Sequence, residues 1–182
     1  MDVATVTTAD GSLLRAIRDV IVGADETLLC VAFVKEPGVH LVLDELEAAA
    51  KRGTARLLVT TVFDPSSGAA LGLARRHGVK VRVLNPGSGT YHPKVYLGRR
   101  SAAVAAVIGS ANLTGGLVTN VEIASELRGR PDDAPLARAW QWAESLCGVR
   151  DPRAPAGRHV RRRQRDHAAV AAGEVTHYPP AR

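Results

Sequence analysis

Two short motifs of this chain combine a histidine, a lysine and small polar residues at a spacing that suits phosphate chemistry. His92 and Lys94 stand two residues apart in a segment with strand-like alternation, so both side chains would project from one face of a strand. Ser110 and Asn112 show the same spacing just after a run of small and β-branched apolar residues. Two strands that end side by side would bring an imidazole, an ammonium, a hydroxyl and an amide around one small anion.

Cleavage of a phosphodiester without a metal ion needs a nucleophile for phosphorus, and cations or hydrogen-bond donors that hold the equatorial oxygens. Imidazole is a competent nucleophile at phosphorus, and it can also return a proton to a leaving oxygen. We predict that His92 attacks, while Lys94 and Asn112 hold the equatorial oxygens and Ser110 adds a hydrogen bond. Glu122, on the next predicted strand, would orient the imidazole or the lysine. No acidic cluster suited to Mg²⁺ accompanies these residues in the sequence, so we expect neither a metal nor a cofactor.

Four further positions around the motifs are predicted to contact the substrate: Tyr91, Gly109, Thr114 and Arg99. A structural alternative exists for His92, which would then be a half-buried strand histidine that is hydrogen-bonded to the backbone.

The elements that position these residues begin with an alternation of helices and strands. Helices are predicted from 12 to a stop at Gly23, from 37 to 51 and from 65 to 77, and strands at 27–33, 56–62 and 79–84. The strands are short and almost continuously apolar. Such a pattern favours a largely parallel sheet that is covered on both faces.

The second half of the chain is richer in strands. They are predicted at 91–97, 102–108 and 121–127, and their short connections favour antiparallel neighbours, with a hairpin turn at 98–100. In the first of these strands Pro93, Val95 and Leu97 are predicted to face the core. A last helix would run from Asp132 to Gly148. The whole pattern predicts an α/β fold, a three-layer α/β/α sandwich with a mixed, partly parallel sheet, over residues 1–149.

A basic, Pro- and Arg-rich tail is predicted at 150–182. It holds eight arginines against three acidic residues, and so carries +5 of the net charge of +6, which leaves 1–149 nearly neutral. Three interpretations stay open for this tail: a solvated flexible end, a linker to another segment, or a segment that binds nucleic acid nonspecifically.

Composition narrows the class of protein further. No run of about 18 apolar residues suggests a membrane span, and the N-terminus lacks the pattern of a signal peptide, so a cytoplasmic location is expected. Cys30 and Cys147 belong to no Cys-x-x-Cys or Cys/His cluster and are predicted to be reduced thiols.

The two motifs together resemble the phospholipase D superfamily of H-K-D phosphodiesterases. The similarity is greatest to its bacterial nuclease-like branch, including phospholipase D-like domains fused to restriction enzymes and helicases. It is carried by the segments 92–97, 108–114 and 120–122, and it extends over about 12–147. The resemblance implies an α/β/α sandwich, a phosphohistidine intermediate and no metal. One position departs, because the family's pattern has Asp five residues after the lysine where this chain has Arg99; several nuclease-like branches also lack that Asp.

The family mechanism uses two histidines, whereas this chain holds one His-x-Lys motif. A single copy resembles the members that form a symmetric homodimer, so a homodimer with one shared active site is expected. The predicted function is a metal-independent phosphodiesterase that acts on nucleic acid, a DNA endonuclease of restriction or defence. Arg99 favours an alternative, a noncatalytic nucleic-acid-binding or oligomerisation module. A phospholipid hydrolase ranks third, since the lipid-cleaving members usually carry the full motif twice.

Overall fold

The computed structural model of the chain describes residues 1–62, 66–86 and 89–148. The described residues form a seven-stranded sheet and six helices. The strands are β1 (Asp2–Thr7), β2 (Glu26–Val31), β3 (Thr54–Val59), β4 (Lys80–Val83), β5 (Lys94–Arg100), β6 (Ala103–Gly109) and β7 (Ile123–Gly129). The helices are α1 (Ser12–Val22), α2 (Glu36–His40), α3 (Leu43–Arg52), α4 (Gly68–Arg76), α5 (Gly116–Thr119) and α6 (Ala134–Gly148). The predicted tail at 150–182 and the predicted helix start at Pro65 lie outside the described residues.

The sheet is mixed, with the order β1-β7-β6-β5-β2-β3-β4. β2, β3 and β4 pair in parallel, and the helical segments between them serve as crossovers. β5, β6 and β7 form an antiparallel meander, and β5 joins the two halves by pairing antiparallel with β2. This arrangement confirms the predicted division into a parallel first half and an antiparallel second half.

Helices cover both faces of the sheet. Leu29 of β2 belongs to one apolar cluster, together with Ile17 of α1, whereas the adjacent Leu28 belongs to a second cluster with Trp140 of α6. Neighbouring strand residues thus point into different cores, as strand geometry requires. The three-layer α/β/α sandwich is therefore confirmed.

The edge strand β1 was not predicted from the sequence. Its first four residues are exposed, so it lacks the continuous apolar character that marks β2 and β3. Its position is set by antiparallel pairing with β7, more than a hundred residues away, from Asp2 opposite Arg128 to Thr7 opposite Ile123. Local sequence carries no signal for such a long-range pairing.

The helix predicted at 37–51 is divided into α2 and α3. The break falls at Leu41 and Val42, and Val42 adopts a φ of −134° outside the helical range. The Leu41 carbonyl accepts a hydrogen bond of 2.9 Å from Arg18 Nε of α1. This tertiary contact satisfies a carbonyl at the break. Helix periodicity alone does not reveal such a break, because it depends on a residue of another helix.

The turn predicted at 98–100 lies instead at Ser101 and Ala102, because β5 continues to Arg100 opposite Ala103. Ser101 has a positive φ of 49°, as a tight two-residue hairpin needs. Gly98 sits inside the strand for a packing reason: a Cβ there would overlap the Val20 carbonyl of α1. The glycine thus permits close contact of helix and sheet rather than a turn.

Candidate active site

The candidate site residues gather at one edge of the sheet. β2 and β6 end at this edge, whereas β5 and β7 begin there: Val31 lies opposite Lys94, and Gly109 lies opposite Ala124. Residues that follow the first pair of strands or precede the second therefore come together. In open α/β sheets the carboxyl ends of parallel strands are where ligands bind.

His92 and Lys94 are in direct contact. The Lys94 Nζ atom lies 2.8 Å from Nδ1 and 2.9 Å from Nε2 of His92, and it donates a hydrogen bond of 3.1 Å to the His92 carbonyl. The expected geometry differs in one respect, since β5 begins at Lys94 and His92 lies on the preceding loop. The predicted alternation along a single strand therefore accounts for Lys94 but not for His92. Val95 and Leu97 do face the second core, as predicted.

Lys94 occupies an unusually enclosed position for a lysine, with only 9% of its surface exposed, whereas His92 is exposed. Its ammonium lies 5.8 Å from the centre of the Phe33 ring. Burial lowers the pKa of Lys94, and the negative charge of Glu122 partly offsets this effect. A cation that is poorly hydrated is well prepared to bind an anionic oxygen that reaches it.

Ser110 and Glu122 are hydrogen-bonded, with the Ser110 hydroxyl donating to Glu122 Oε2. The other carboxylate oxygen accepts a bond of 3.2 Å from Asn120 Nδ2. The Glu122 backbone is fixed as well, because its N–H donates to Thr8 Oγ1 at 3.0 Å, just after β1. Ser110 and Asn120 thus hold the carboxylate while Thr8 holds the backbone, and the carboxylate acts on Lys94 through its charge.

Asn112 lies on a loop that is attached to the chain segment after β2. Its Oδ1 accepts the N–H of Phe33 at 3.1 Å, and the N–H of Leu113 donates to the Phe33 carbonyl at 3.1 Å. The loop also packs tightly on α2, where a Cβ at Gly38 would overlap the Leu113 backbone. The Thr114 hydroxyl accepts the N–H of Gly116 at 3.1 Å, which starts α5.

Of the four residues predicted to contact the substrate, only Gly109 lies at the site edge with its predicted use open; the other three have packing or hydrogen-bonding roles elsewhere. Gly109 ends β6 beside Ser110, at the site edge. Tyr91 is buried in the second core, where burial raises the pKa of its hydroxyl and the hydroxyl donates to the Leu58 carbonyl at 3.3 Å. The Thr114 hydroxyl is engaged within its own loop. The structure brings neither the Tyr91 hydroxyl nor that of Thr114 to the His92–Lys94 pair.

Arg99 lies five residues along β5 from Lys94, about 16 Å away at the rise of a strand. Its guanidinium pairs with Glu26 at 2.8 Å and stacks over the Trp140 ring at 4.4 Å. The structure therefore does not bring Arg99 together with the other candidates. The position where the family pattern has Asp is occupied here by a residue of the β2–β5–α6 packing.

Neither a protein-family model nor a curated protein matches the chain. Its structure is similar to that of Nuc from Salmonella typhimurium, a phospholipase D family member, with a TM-score of 0.63 and 21% identity over 84% of this chain and 99% of Nuc. The fold is phospholipase D-like. NucT from Helicobacter pylori is also similar, with a TM-score of 0.62 and 14% identity over 80% of this chain and 95% of NucT. Polyphosphate kinase from Porphyromonas gingivalis is similar as well, with a TM-score of 0.60 and 15% identity over 94% of this chain and 29% of the kinase.

The phospholipase D-like fold confirms the architecture that the two motifs imply. Its site edge also holds a residue that the sequence analysis did not single out, Phe33, whose ring lies 5.4 Å from the His92 ring in an edge-to-face arrangement. A signal for it exists in the sequence. Aromatic residues are scarce in this chain, and Phe33 is the last residue of the apolar strand predicted at 27–33.

The phospholipase D-like fold thus presents a histidine, a buried ammonium, an amide and a carboxylate–hydroxyl pair at one edge. Within the residues that the structure describes, no three His, Cys, Asp or Glu side chains come together as a possible metal site. No helix of that same part is long and apolar enough to cross a membrane. The groups present are able to bind a phosphoryl oxygen, to attack phosphorus and to move a proton.

Proposed function

We propose that this chain is a phosphodiesterase that cleaves nucleic acid, DNA rather than RNA, through a phosphohistidine at His92 and without a metal. One observation carries the proposal: an exposed imidazole contacts a buried lysine at 2.8 Å, at the sheet edge that also holds Asn112 and Glu122. The phospholipase D-like fold supports it. The proposal also locates the reaction in the cytoplasm, in restriction or defence against foreign DNA.

In the proposed reaction, one ring nitrogen of His92 attacks phosphorus and a P–N bond forms as the bond to the leaving oxygen breaks. Lys94 and Asn112 stabilise the charge on the equatorial oxygens. The leaving oxygen keeps its electron pair and takes a proton from the His92 imidazolium of a second copy. Water then attacks phosphorus and gives its proton to that second imidazole, while the P–N bond breaks and returns its electron pair to the first.

A second copy of the chain is needed because one copy supplies one His-x-Lys motif. Four large aliphatic side chains near the site edge are exposed: Ile108, Val118, Val121 and Ile123. Two of them directly flank Glu122 in sequence. Exposed aliphatic residues around an incomplete site fit a symmetric contact that buries them and brings two copies of His92 together.

Cleavage assays test the chemistry. Plasmid and single-stranded DNA are incubated with the protein in EDTA, alongside RNA and polyphosphate chains as competing substrates. We expect DNA cleavage that His92→Ala abolishes and that Lys94→Ala lowers by about 10²–10³-fold, the effect of removing one preorganised charge-stabilising donor. His40→Ala is the matched control, since His40 is exposed on α2. Loss of cleavage on adding EDTA would contradict the metal-free mechanism.

Subunit mixing tests the shared site. Excess His92→Ala chain, allowed to exchange with wild type, should inactivate it, whereas excess His40→Ala chain should not. Light scattering should give a dimer that Val118→Asp dissociates and Val22→Asp does not. Val22 is a fair control, because it is 53% exposed against 54% for Val118. A fully active monomer would refute the shared site.

The alternative is a noncatalytic nucleic-acid-binding module, which Arg99 in place of Asp favours. Arg99 is remote from the His92–Lys94 pair, so this replacement leaves the groups at the site edge unchanged. DNA binding without any cleavage, equal in wild type and in His92→Ala, would favour the module. For the role in defence, expression of the wild type but not of His92→Ala should lower transformation by foreign plasmid DNA.

A further inference from the structure

Phe33 contacts three of the candidate catalytic groups from one position. It is the second residue after the end of β2 and is half-buried. Its ring packs edge-to-face on the His92 imidazole, with 5.4 Å between ring centres and 73° between the planes. The Lys94 ammonium lies 5.8 Å from the centre of the same ring. One aromatic side chain thus bounds both members of the His92–Lys94 pair.

The backbone of Phe33 determines how the Asn112 amide is oriented. Because the Phe33 N–H is a donor, the atom that it meets at 3.1 Å must be the Asn112 oxygen, which leaves Nδ2 on the other side. Within the described part of the chain, Nδ2 has no hydrogen-bond partner. It therefore remains available as a donor. The Phe33 carbonyl, in turn, accepts the Leu113 N–H at 3.1 Å and holds the loop.

We propose that Phe33 is a positioning residue whose ring fixes the His92 imidazole against Lys94 and whose backbone aims the Asn112 amide at the same phosphoryl group. This inference rests on the proposed function. An imidazole on an exposed loop has two free torsions, and packing on a ring edge limits both. The ring also excludes water on one side of Lys94, which strengthens the contact of that ammonium with an anion.

The contribution of the side chain can be tested while the backbone contacts are kept. Phe33→Leu keeps the N–H and carbonyl contacts to the Asn112 loop but removes the ring. We expect kcat to fall about 10-fold, the scale of a lost aromatic pair, with KM changed less than about 2-fold. Phe33→Tyr, which keeps the ring, should restore most of kcat. Trp142→Leu, an aromatic deletion on α6, should leave both constants unchanged.

A second measurement is independent of turnover. In proton NMR spectra of wild type, the His92 ring protons should show nuclear Overhauser contacts to Phe33 and a ring-current shift. Phe33→Leu should abolish that shift, and Phe33→Tyr should retain it. If Phe33→Leu does not fold, Phe33→Met replaces it in both measurements, because Met fills irregular space with an apolar chain and also lacks the ring.

The two proposals fail in different ways. A wild type without cleavage that still shows the ring-current shift would refute the phosphodiesterase and leave the positioning contact in place. An active wild type whose folded leucine or methionine variant keeps full kcat would overturn the role of Phe33. Equal losses in Phe33→Leu and Phe33→Tyr would also overturn it, since they would mean that the ring itself does not matter.

Discussion

The hydroxyl of Tyr96 links the core of the sheet to the loop that carries Asn112. Tyr96 is fully buried, and its hydroxyl donates to the Ala111 carbonyl at 3.0 Å. Within the described residues that carbonyl has no other hydrogen-bond donor. Burial raises the pKa of Tyr96, with a smaller effect of the Glu122 charge, so the hydroxyl stays protonated and donating. Tyr96→Phe would remove the donor and keep the ring.

The expected cost follows from leaving a buried carbonyl unpaired. Such a loss destabilises a protein by about 1–3 kcal/mol. For a folded region of this size, each kcal/mol lowers Tm by about 2–4 °C, so the variant should melt about 2–12 °C below wild type. The loop should also lose its anchor at Ala111. We therefore expect cleavage to decline along with stability, because Asn112 is the next residue.

Tyr91→Phe is the matched control for this experiment. Tyr91 is also a buried tyrosine that donates to a backbone carbonyl, but its acceptor is Leu58 inside β3, and it lies in the second core. Thermal melts followed by circular dichroism and cleavage assays well below Tm would compare the two variants. Tyr91→Phe should lose stability without losing activity. An unchanged Tm and unchanged activity in Tyr96→Phe would refute the anchoring role.

Four further outcomes are expected. Burial raises the pKa of the Cys30 thiol to about 12, so Cys30 should resist iodoacetamide at pH 7 until the protein is unfolded, as mass spectrometry of labelled peptides would show. Hydrogen bonds from Ser12, then from Thr7, lower the pKa of Asp10 from 3.8 to about 2. The contribution of Asp10 to stability is therefore full above pH 3.8 and is lost as pH falls through 2. In denaturant titrations Asp10→Ala should be less stable than wild type at neutral pH, and the difference should shrink as pH falls toward 2. Arg99→Ala should lower Tm by a few degrees, through lost packing on Trp140, while a kinetic assay finds kcat unchanged. Gly98→Ala should destabilise strongly, by about 1–3 kcal/mol in chemical denaturation, because its Cβ would overlap the backbone of α1.

Much of the fold was accessible from the sequence because its signals are local. The apolar runs of β2 and β3 and the periodic face of α1 predict buried strands and an amphipathic helix wherever they occur. The short connection between β5 and β6 likewise predicts that these two strands are neighbours, whereas β6 and β7 are joined by a longer segment that contains α5. β1 was missed because its pairing with β7 joins the two ends of the domain, and the break at Leu41 because it depends on Arg18 of another helix.

For the candidate site, too, some properties follow from the sequence and others only from the tertiary structure. Residue types and spacing alone determined that an imidazole, a lysine, an amide and a carboxylate occur in a pattern suited to phosphate. Only the tertiary structure decided which of them meet. His92 reaches Lys94 from a loop rather than along a strand, and Phe33 reaches both from the segment after β2. Arg99, on the same strand as Lys94, points into a different core because strand residues of opposite parity face opposite sides of the sheet.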